Sequence, residues 1–350
     1  MPSVSDIPAV ESQITTATRL LSSHWDQTAT AAVDAAIEEL EAARLDREDG
    51  LTAAQKAAIV AAVLLLMRSR FDTPMTDREK ARARRMSNDL IVAGVQSGGG
   101  FGRLTRSGRA ISTLSRRGGA ELEALGRWRA RGEAFERRIA ASVEDFVERQ
   151  EARRKPHERK ADEKKLRRLL MELREEENAR RVAEGKRPLT SDVKLLPPPE
   201  KSDGRVSAED RKEWLADMRA TMDLASHSSG PIADAWAYRQ YNIGRYISMR
   251  AAGIRTFEVF NNPPSGPDDR TTRFCRWAHR KVIKVERVER QLSEMARAVR
   301  EDDRAIIEQA WPMLRLRKGD TAAGFRQMFI GTGLPPYHWR CRSVVQEGGA

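Results

Sequence analysis

Cysteine is scarce in this chain, with two among 350 residues, so a fold held together by several disulfides is excluded. Long apolar runs are also missing. The longest uncharged apolar stretch, residues 57–67, falls well short of the roughly 20 residues that a membrane-spanning helix needs. The first residues lack a basic segment followed by an apolar one, which predicts no secretory signal. We therefore expect a soluble, intracellular chain without membrane partners.

Aromatic residues are few, and the charge is uneven. Aromatics make up 6% of the chain and charged residues 33%, which is typical of long, solvated helices rather than of a sheet-rich core. The formal net charge is +12. An excess of this size predicts a negatively charged partner, either DNA or an acidic protein surface in an assembly.

Residues 1–97 have the pattern of an N-terminal helical bundle. Apolar residues recur at helical spacing along residues 31–45, and a second, very apolar helix is expected after Thr52, a good N-cap residue. Pro74 ends that helix, because proline cannot donate a backbone hydrogen bond. Helical spacing resumes from Asp77 to Val95.

Residues 103–188 are predicted to form a basic helical arm. Residues 103–131 contain eight arginines, no lysine and only two acidic residues, so they are candidates for contact with a polyanion. In residues 148–187, 15 basic and 10 acidic residues are interspersed, which favours a solvated helix with mixed-charge pairs. No motif for reading a nucleotide sequence is present. The candidate contacts are Arg103, Arg106, Arg109, Arg116 and Arg117.

A proline-rich linker is predicted at residues 189–206, where three consecutive prolines favour an extended spacer. Beyond it, Ser207 and Asp210 form a capping pattern that predicts a helix. Short alternating segments at 256–260, 282–285 and 343–345 predict strands. The sequence therefore predicts a mainly α protein with a small α+β domain at residues 207–350.

Both cysteines and two of the five histidines lie in that domain, in the pairs Cys275–His279 and His338–Cys341. Two sulfurs and two imidazoles are a sufficient set for tetrahedral zinc, and four protein ligands would make the zinc structural rather than catalytic. A site of this kind would connect two distant segments. The spacing alone leaves core packing and redox or nucleophilic chemistry open as alternatives.

Motifs of enzymes are missing. The sequence has no nucleophile elbow, no zinc-protease helix and no phosphate-binding loop. We interpret Asp269 as the cap of a helix at residues 270–280 rather than as a catalytic acid. We therefore expect no enzymatic activity. The alternatives are a non-specific DNA-binding protein without a virion role and a toxin-like nuclease or transferase.

Two short motifs in the last third of the chain resemble the Mu F-like minor head proteins of tailed phages. The resemblance covers roughly residues 207–346, and residues 239–245 look like the helix that leads into the family's C-terminal domain. The first motif consists of Asp268, Asp269, Arg270, Thr271 and Cys275, and the second of Pro335, Pro336, His338, Cys341 and Arg342.

This resemblance implies a minor capsid protein that acts in head morphogenesis near the portal, with a role in genome packaging or ejection. It implies portal, capsid and scaffold proteins as partners, and a location in the virion head after assembly in the host cytoplasm. Cys275, His338 and Cys341 are the residues carried over as a structural metal or fold-locking cluster. Many members have further cysteines where this chain has Thr272 and Ser343.

Overall fold

The computed structural model describes most of the predicted helices and strands. The described residues are 7–45, 52–98, 104–130, 137–150, 206–226, 229–261, 266–269, 271–303, 321–338 and 341–348, with 168, 171–172, 175 and 179–183. The predicted linker at 189–206 lies outside them except for Val206.

The described chain is mainly helical, and three short strands lie near its C-terminal end, which confirms the predicted fold class. The helices are α1 (Ile7–Leu45), α2 (Ala53–Phe71), α3 (Asp77–Ser97), α4 (Leu104–Ala130), α5 (residues 137–150), α6 (Ala208–Ser226), α7 (Ser229–Ala251), α8 (Arg273–Ala278), α9 (Val285–Glu301) and α10 (Ala322–Gly331). The strands are β1 (Thr256–Asn261), β2 (Val282–Lys284) and β3 (Ser343–Glu347). None of the described helices is long and apolar enough to cross a membrane.

Local capping explains where several helices begin. The Thr52 hydroxyl accepts a hydrogen bond from the Gln55 backbone at 3.3 Å, as predicted for an N-cap. Ser207 and Asp210 bond to each other at the start of α6, which confirms the predicted cap there. At α3, Thr76 and Glu79 form a reciprocal capping box.

The chain divides into two compact units. The first combines residues from 1–29, 70–136 and 219–350, and the second combines residues from 30–69 and 137–218. Parts of the predicted N-terminal bundle, basic arm and C-terminal domain therefore belong to one unit, because α3 and α4 pack on α7.

The second unit has its own aromatic and ionic contacts. Phe146 stacks on Trp214 with ring centroids 3.9 Å apart, and Trp214 is buried. On the surface Arg149 bridges Glu213 at 2.8 Å and Asp217 at 3.1 Å. Within the predicted mixed-charge stretch, Arg168 pairs with Glu172 one helical turn away.

Helix α7 is the centre of the first unit, and it is buried on every side from Ile232 to Met249, apart from Asp234. Polar residues on a helix of this kind must find partners inside the protein. Trp236 donates to the backbone oxygen of Gly118 in α4 at 2.8 Å. Arg239 pairs with Glu121, also in α4, at 3.0 Å.

The three strands form an antiparallel sheet in the order β2-β1-β3. Strand β1 alternates, and its buried face carries Phe257, Val259 and Asn261. The register pairs Asn261 with Ser343 at one end of the sheet. That end therefore lies beside the two cysteine segments.

Candidate metal centre

Helix α8 positions Cys275. The helix is capped by Thr272, whose hydroxyl accepts the Cys275 backbone N–H at 3.3 Å. Phe274, the neighbour of Cys275, is buried in an aromatic cluster with Phe325 and Tyr337. This packing fixes the short helix against the rest of the unit, so the Cys275 side chain has one defined direction.

The segment between α10 and β3 positions the other two residues. Leu334, Pro335, Pro336 and Tyr337 are buried, which anchors the segment before His338. The Cys341 backbone N–H donates to the His338 carbonyl oxygen at 3.1 Å. Both side chains lie beside Cys275 of α8.

Three ligand atoms meet at this point. The Sγ atoms of Cys275 and Cys341 and a ring nitrogen of His338 all lie within 4.8 Å of one another. Cys275 Sγ lies 3.0 Å from His338 Nε2 and 3.6 Å from Cys341 Sγ. With a Zn–S bond near 2.3 Å, two thiolates of a tetrahedral site lie about 3.8 Å apart. The two sulfurs are thus already spaced for a metal ion, and the group could hold one.

Burial and hydrogen bonds shift the pKa values of the two thiols in opposite directions. The hydrogen bond with Cys341, together with burial, raises the pKa of Cys275. Burial alone would raise the pKa of Cys341 as well, but its hydrogen bonds with Cys275 and Ser343 and the nearby His338 bring it well below its ordinary value. The two thiols are therefore coupled, since each lies within hydrogen-bond distance of the other.

Two hydroxyls line the same group. Thr272 Oγ1 lies 3.0 Å from His338 Nε2, and Ser343 Oγ lies 3.2 Å from Cys341 Sγ. Ser343 is held in turn by Asn261, which it contacts at 2.5 Å and whose amide donates to the Cys275 carbonyl. The two positions at which this chain departs from the Mu F-like pattern are therefore both next to ligand atoms.

His279, the fourth predicted ligand, lies outside this group. Helix α8 ends at Ala278, and His279 follows it as the C-cap residue. Its Nδ1 instead accepts the Asn261 backbone N–H at 3.2 Å, and its ring packs on Phe260. Burial lowers the pKa of His279. The group that the described residues form therefore has three of the four predicted ligands, and His279 is not among them.

The prediction that Asp269 caps a helix at 270–280 was wrong, because Thr272 is the N-cap and the helix is shorter. Asp269 is exposed in a turn, and Arg270 lies outside the described residues. Thr271 instead bonds Asp268 at 2.7 Å, and Arg342 from the second motif lies 3.7 Å from the Asp268 carboxylate. The two motifs therefore meet here as well as at the cysteines.

Within residues 239–245 of α7, two buried polar side chains connect the helix to this region, and the sequence did not predict these contacts. Asn242 accepts the Val345 backbone N–H at 2.9 Å and donates to the Ser343 carbonyl at 3.0 Å. Arg245 donates to the Val345 carbonyl and, at 2.9 Å, to Ser97. They tie α7 to strand β3 directly after Cys341. A run of polar residues through a helix with no exposed face is the signal that could have identified them.

The predicted polyanion contacts lie on or next to α4. Arg109, Arg116 and Arg117 are exposed there, Arg106 belongs to the same helix, and Arg103 lies outside the described residues.

A scan against known protein-family models, a search of curated proteins and a search of solved structures each found no match to this chain.

Proposed function

We propose that this chain is a non-enzymatic minor head protein of a tailed phage, similar to the Mu F-like family. In this role it acts near the portal in head morphogenesis and in genome packaging or ejection. One observation supports the proposal above the others: the two motifs that carry the resemblance converge. Cys275 and His338 are 63 residues apart in the chain, and their side chains lie 3.0 Å apart.

The proposal includes a structural zinc ion held by Cys275, His338 and Cys341. When bound, zinc supplies a cross-link between helix α8 and the segment that precedes β3. Three protein ligands leave one tetrahedral position, and the Thr272 hydroxyl lies next to the ligand atoms. Cys275 is 3% and Cys341 1% exposed, so a substrate has little access to an ion bound between them. These features favour a structural role.

The partners follow from the charge. Exposed arginines on α4 supply a surface that would contact DNA or the negatively charged faces of portal, capsid and scaffold proteins. Contacts of this kind are independent of nucleotide sequence, since phosphates carry no base information. A low-copy protein inside the head would meet both kinds of partner.

Co-sedimentation with heads tests the assembly role. Procapsids are purified on a gradient from cells that carry the phage or prophage encoding this chain, and their protein content is measured by quantitative mass spectrometry. We expect a few copies per procapsid. Procapsids that contain none would refute the proposal. An Arg290→Glu variant, changed at an exposed residue of α9, should still be found in procapsids.

Two other outcomes would indicate the alternatives. DNA binding that weakens steeply with salt, without any association with particles, would indicate a DNA-binding protein. A nuclease or transferase activity that is lost when His279 and His338 are replaced, in a variant that still folds, would indicate an enzyme.

A further inference from the structure

A groove lies between helices α4 and α9, away from the cysteine and histidine group. Its deeper part is a cavity of about 380 Å³ that also reaches α7. This volume falls in the range of pockets that bind a ligand or a large side chain. The apolar side chains that line it are Leu114, Ile243, Leu292, Met295 and Val299.

A shallower cleft of about 400 Å³ continues the groove along α9. The two share Leu114, Arg117, Leu292, Ala296 and Arg300, so they form one continuous surface. An elongated groove between two helices is the shape that receives a peptide segment rather than a compact small molecule.

Arginines surround this groove on both helices. Arg116 and Arg117 on α4 and Arg297 and Arg300 on α9 line it, and all four are exposed. Among the ion pairs of the described residues, one carboxylate lies close to them, that of Glu301, which is 3.4 Å from Arg300 and 4.0 Å from Arg297. Four arginines against one such carboxylate leave the rim positive.

The acidic residues that line the groove are already matched within the protein. At the floor Glu121 is buried and pairs with Arg239 at 3.0 Å, and Gln240 donates to the same carboxylate at 3.2 Å. In the shallower cleft Glu289 pairs with Arg250 at 3.3 Å. These carboxylates therefore do little to neutralise the arginines at the rim.

We infer that this groove binds an acidic segment of a partner protein, with one large apolar side chain of that segment in the cavity. The arginines would pair with carboxylates on either side of the anchor, and the cavity would bury the anchor. Duplex DNA matches the charge, but its backbone offers no apolar group to fill the cavity. This inference deepens the proposed contact of the α4 arginines with an acidic partner and rests on it, because Arg116 and Arg117 belong to both surfaces. Peptide binding in solution and the presence of the chain in procapsids are measured separately, so the failure of one can be distinguished from the failure of the other.

The test uses the full-length chain and a fluorescein-labelled synthetic peptide that is rich in glutamate and has one central tryptophan. A second peptide carries serine in place of the tryptophan. Fluorescence anisotropy should give an affinity at least about tenfold weaker for the serine peptide, because the cavity would no longer remove a large apolar side chain from water. Equal affinities for the two peptides, or no binding of either, would overturn the inference.

Variants locate the binding surface. Ala296→Trp fills the cavity, and Arg117→Glu with Arg300→Glu cancels the summed charge of the four rim arginines. Each should weaken the tryptophan peptide at least about tenfold. Arg290→Glu makes one charge change of the same kind on an exposed part of α9 outside the groove and should change affinity by less than about twofold. Circular dichroism checks that each variant keeps its helices.

A duplex DNA competitor separates the two classes of partner. We expect DNA to displace the peptide poorly, and Ala296→Trp to weaken the peptide without changing DNA binding. The inference is overturned if DNA binds more tightly than the peptide and Ala296→Trp leaves both affinities unchanged, which would define a nucleic-acid surface. The inference is also contradicted if the tryptophan peptide keeps its full affinity for Ala296→Trp and for the double variant Arg117→Glu with Arg300→Glu.

Discussion

Replacement of Gly244 by alanine should strongly destabilise the first unit. Gly244 on α7 and Gly94 on α3 lie where the two helix backbones touch. A Cβ atom added at Gly244 would lie 2.1 Å from the Ile91 carbonyl oxygen and 2.9 Å from the Gly94 Cα. Ordinary contacts of a Cβ begin near 3.4 Å. Both neighbours are backbone atoms, so no side-chain rotation can relieve the clash.

The loss of stability in Gly244→Ala depends on how far α3 and α7 must move apart. The helices must separate by roughly 1 Å, and a gap of that size removes a quarter to a half of the dispersion energy of the contacts that span it. Overpacking of this kind costs about 3 kcal/mol or more, and alanine returns about 1 kcal/mol through its higher helix propensity. We expect a net loss of about 2 kcal/mol or more in the free energy of unfolding.

Gly108 provides the matched control, because it lies within α4 and an added Cβ would meet nothing within 4 Å. Gly108→Ala should raise the free energy of unfolding by up to about 1 kcal/mol. Urea titration followed by circular dichroism measures both variants against the parent chain. If Gly244→Ala proves as stable as Gly108→Ala, the close packing of α3 on α7 is refuted.

Three further predictions follow from the contacts described. Thr272→Cys should tighten zinc binding at least about tenfold, measured by competition with a chromophoric chelator, because it adds a thiolate beside the three ligands. Arg239→Met should lower the free energy of unfolding in urea by about 3–5 kcal/mol, because the buried Glu121 carboxylate loses its positively charged partner. A second change, Glu121→Leu, should recover most of that loss. The stability that Glu79 contributes should be lost as pH falls below about 4.5. Burial alone would raise the pKa of Glu79 in the folded chain, but hydrogen bonds from Thr76 lower it. Glu79→Gln should therefore flatten this part of the pH–stability profile.

Each of these three has a contradicting result. Unchanged zinc affinity in Thr272→Cys would place that hydroxyl away from the ion. If the double variant Arg239→Met with Glu121→Leu is no more stable than Arg239→Met alone, the two charges do not compensate each other. An unaltered acid transition in Glu79→Gln would assign it to other carboxylates.

Much of the local structure could be predicted from the sequence because its causes are local. Thr52 and Ser207 have hydroxyls suited to N-caps, and both cap helices. The alternation of apolar and polar residues from Thr256 onwards gives a strand with one buried face. In each case the residues that decide the structure lie within a few positions of one another.

The candidate site was predictable only in part. The pairing of Cys275 with His338 and Cys341 followed from ligand chemistry and from the resemblance. The exclusion of His279 from the group goes with a contact to another element, because its Nδ1 accepts the backbone N–H of Asn261 in β1. Spacing alone does not reveal a contact of this kind.

The packing of distant helices could not be predicted. Gly94 and Gly244 look like ordinary helix interior positions, and their role appears only when α3 and α7 meet. The polar residues of α7 are similar, because Asn242 is explained by its bonds to β3, about 100 residues away in the chain. For the same reason the predicted bounds at 97 and 207 separated residues that belong to one compact unit.

Elemental analysis of the purified chain tests the central claim most directly, which is that Cys275, His338 and Cys341 bind zinc and join two distant segments. The protein is prepared without chelators or metal-affinity resin, and zinc is measured by mass spectrometry against protein concentration. We predict about one zinc per chain, and loss of that zinc in a folded Cys341→Ser variant. A folded parent chain with less than about 0.2 zinc per chain would contradict the claim and leave the group as ordinary core packing.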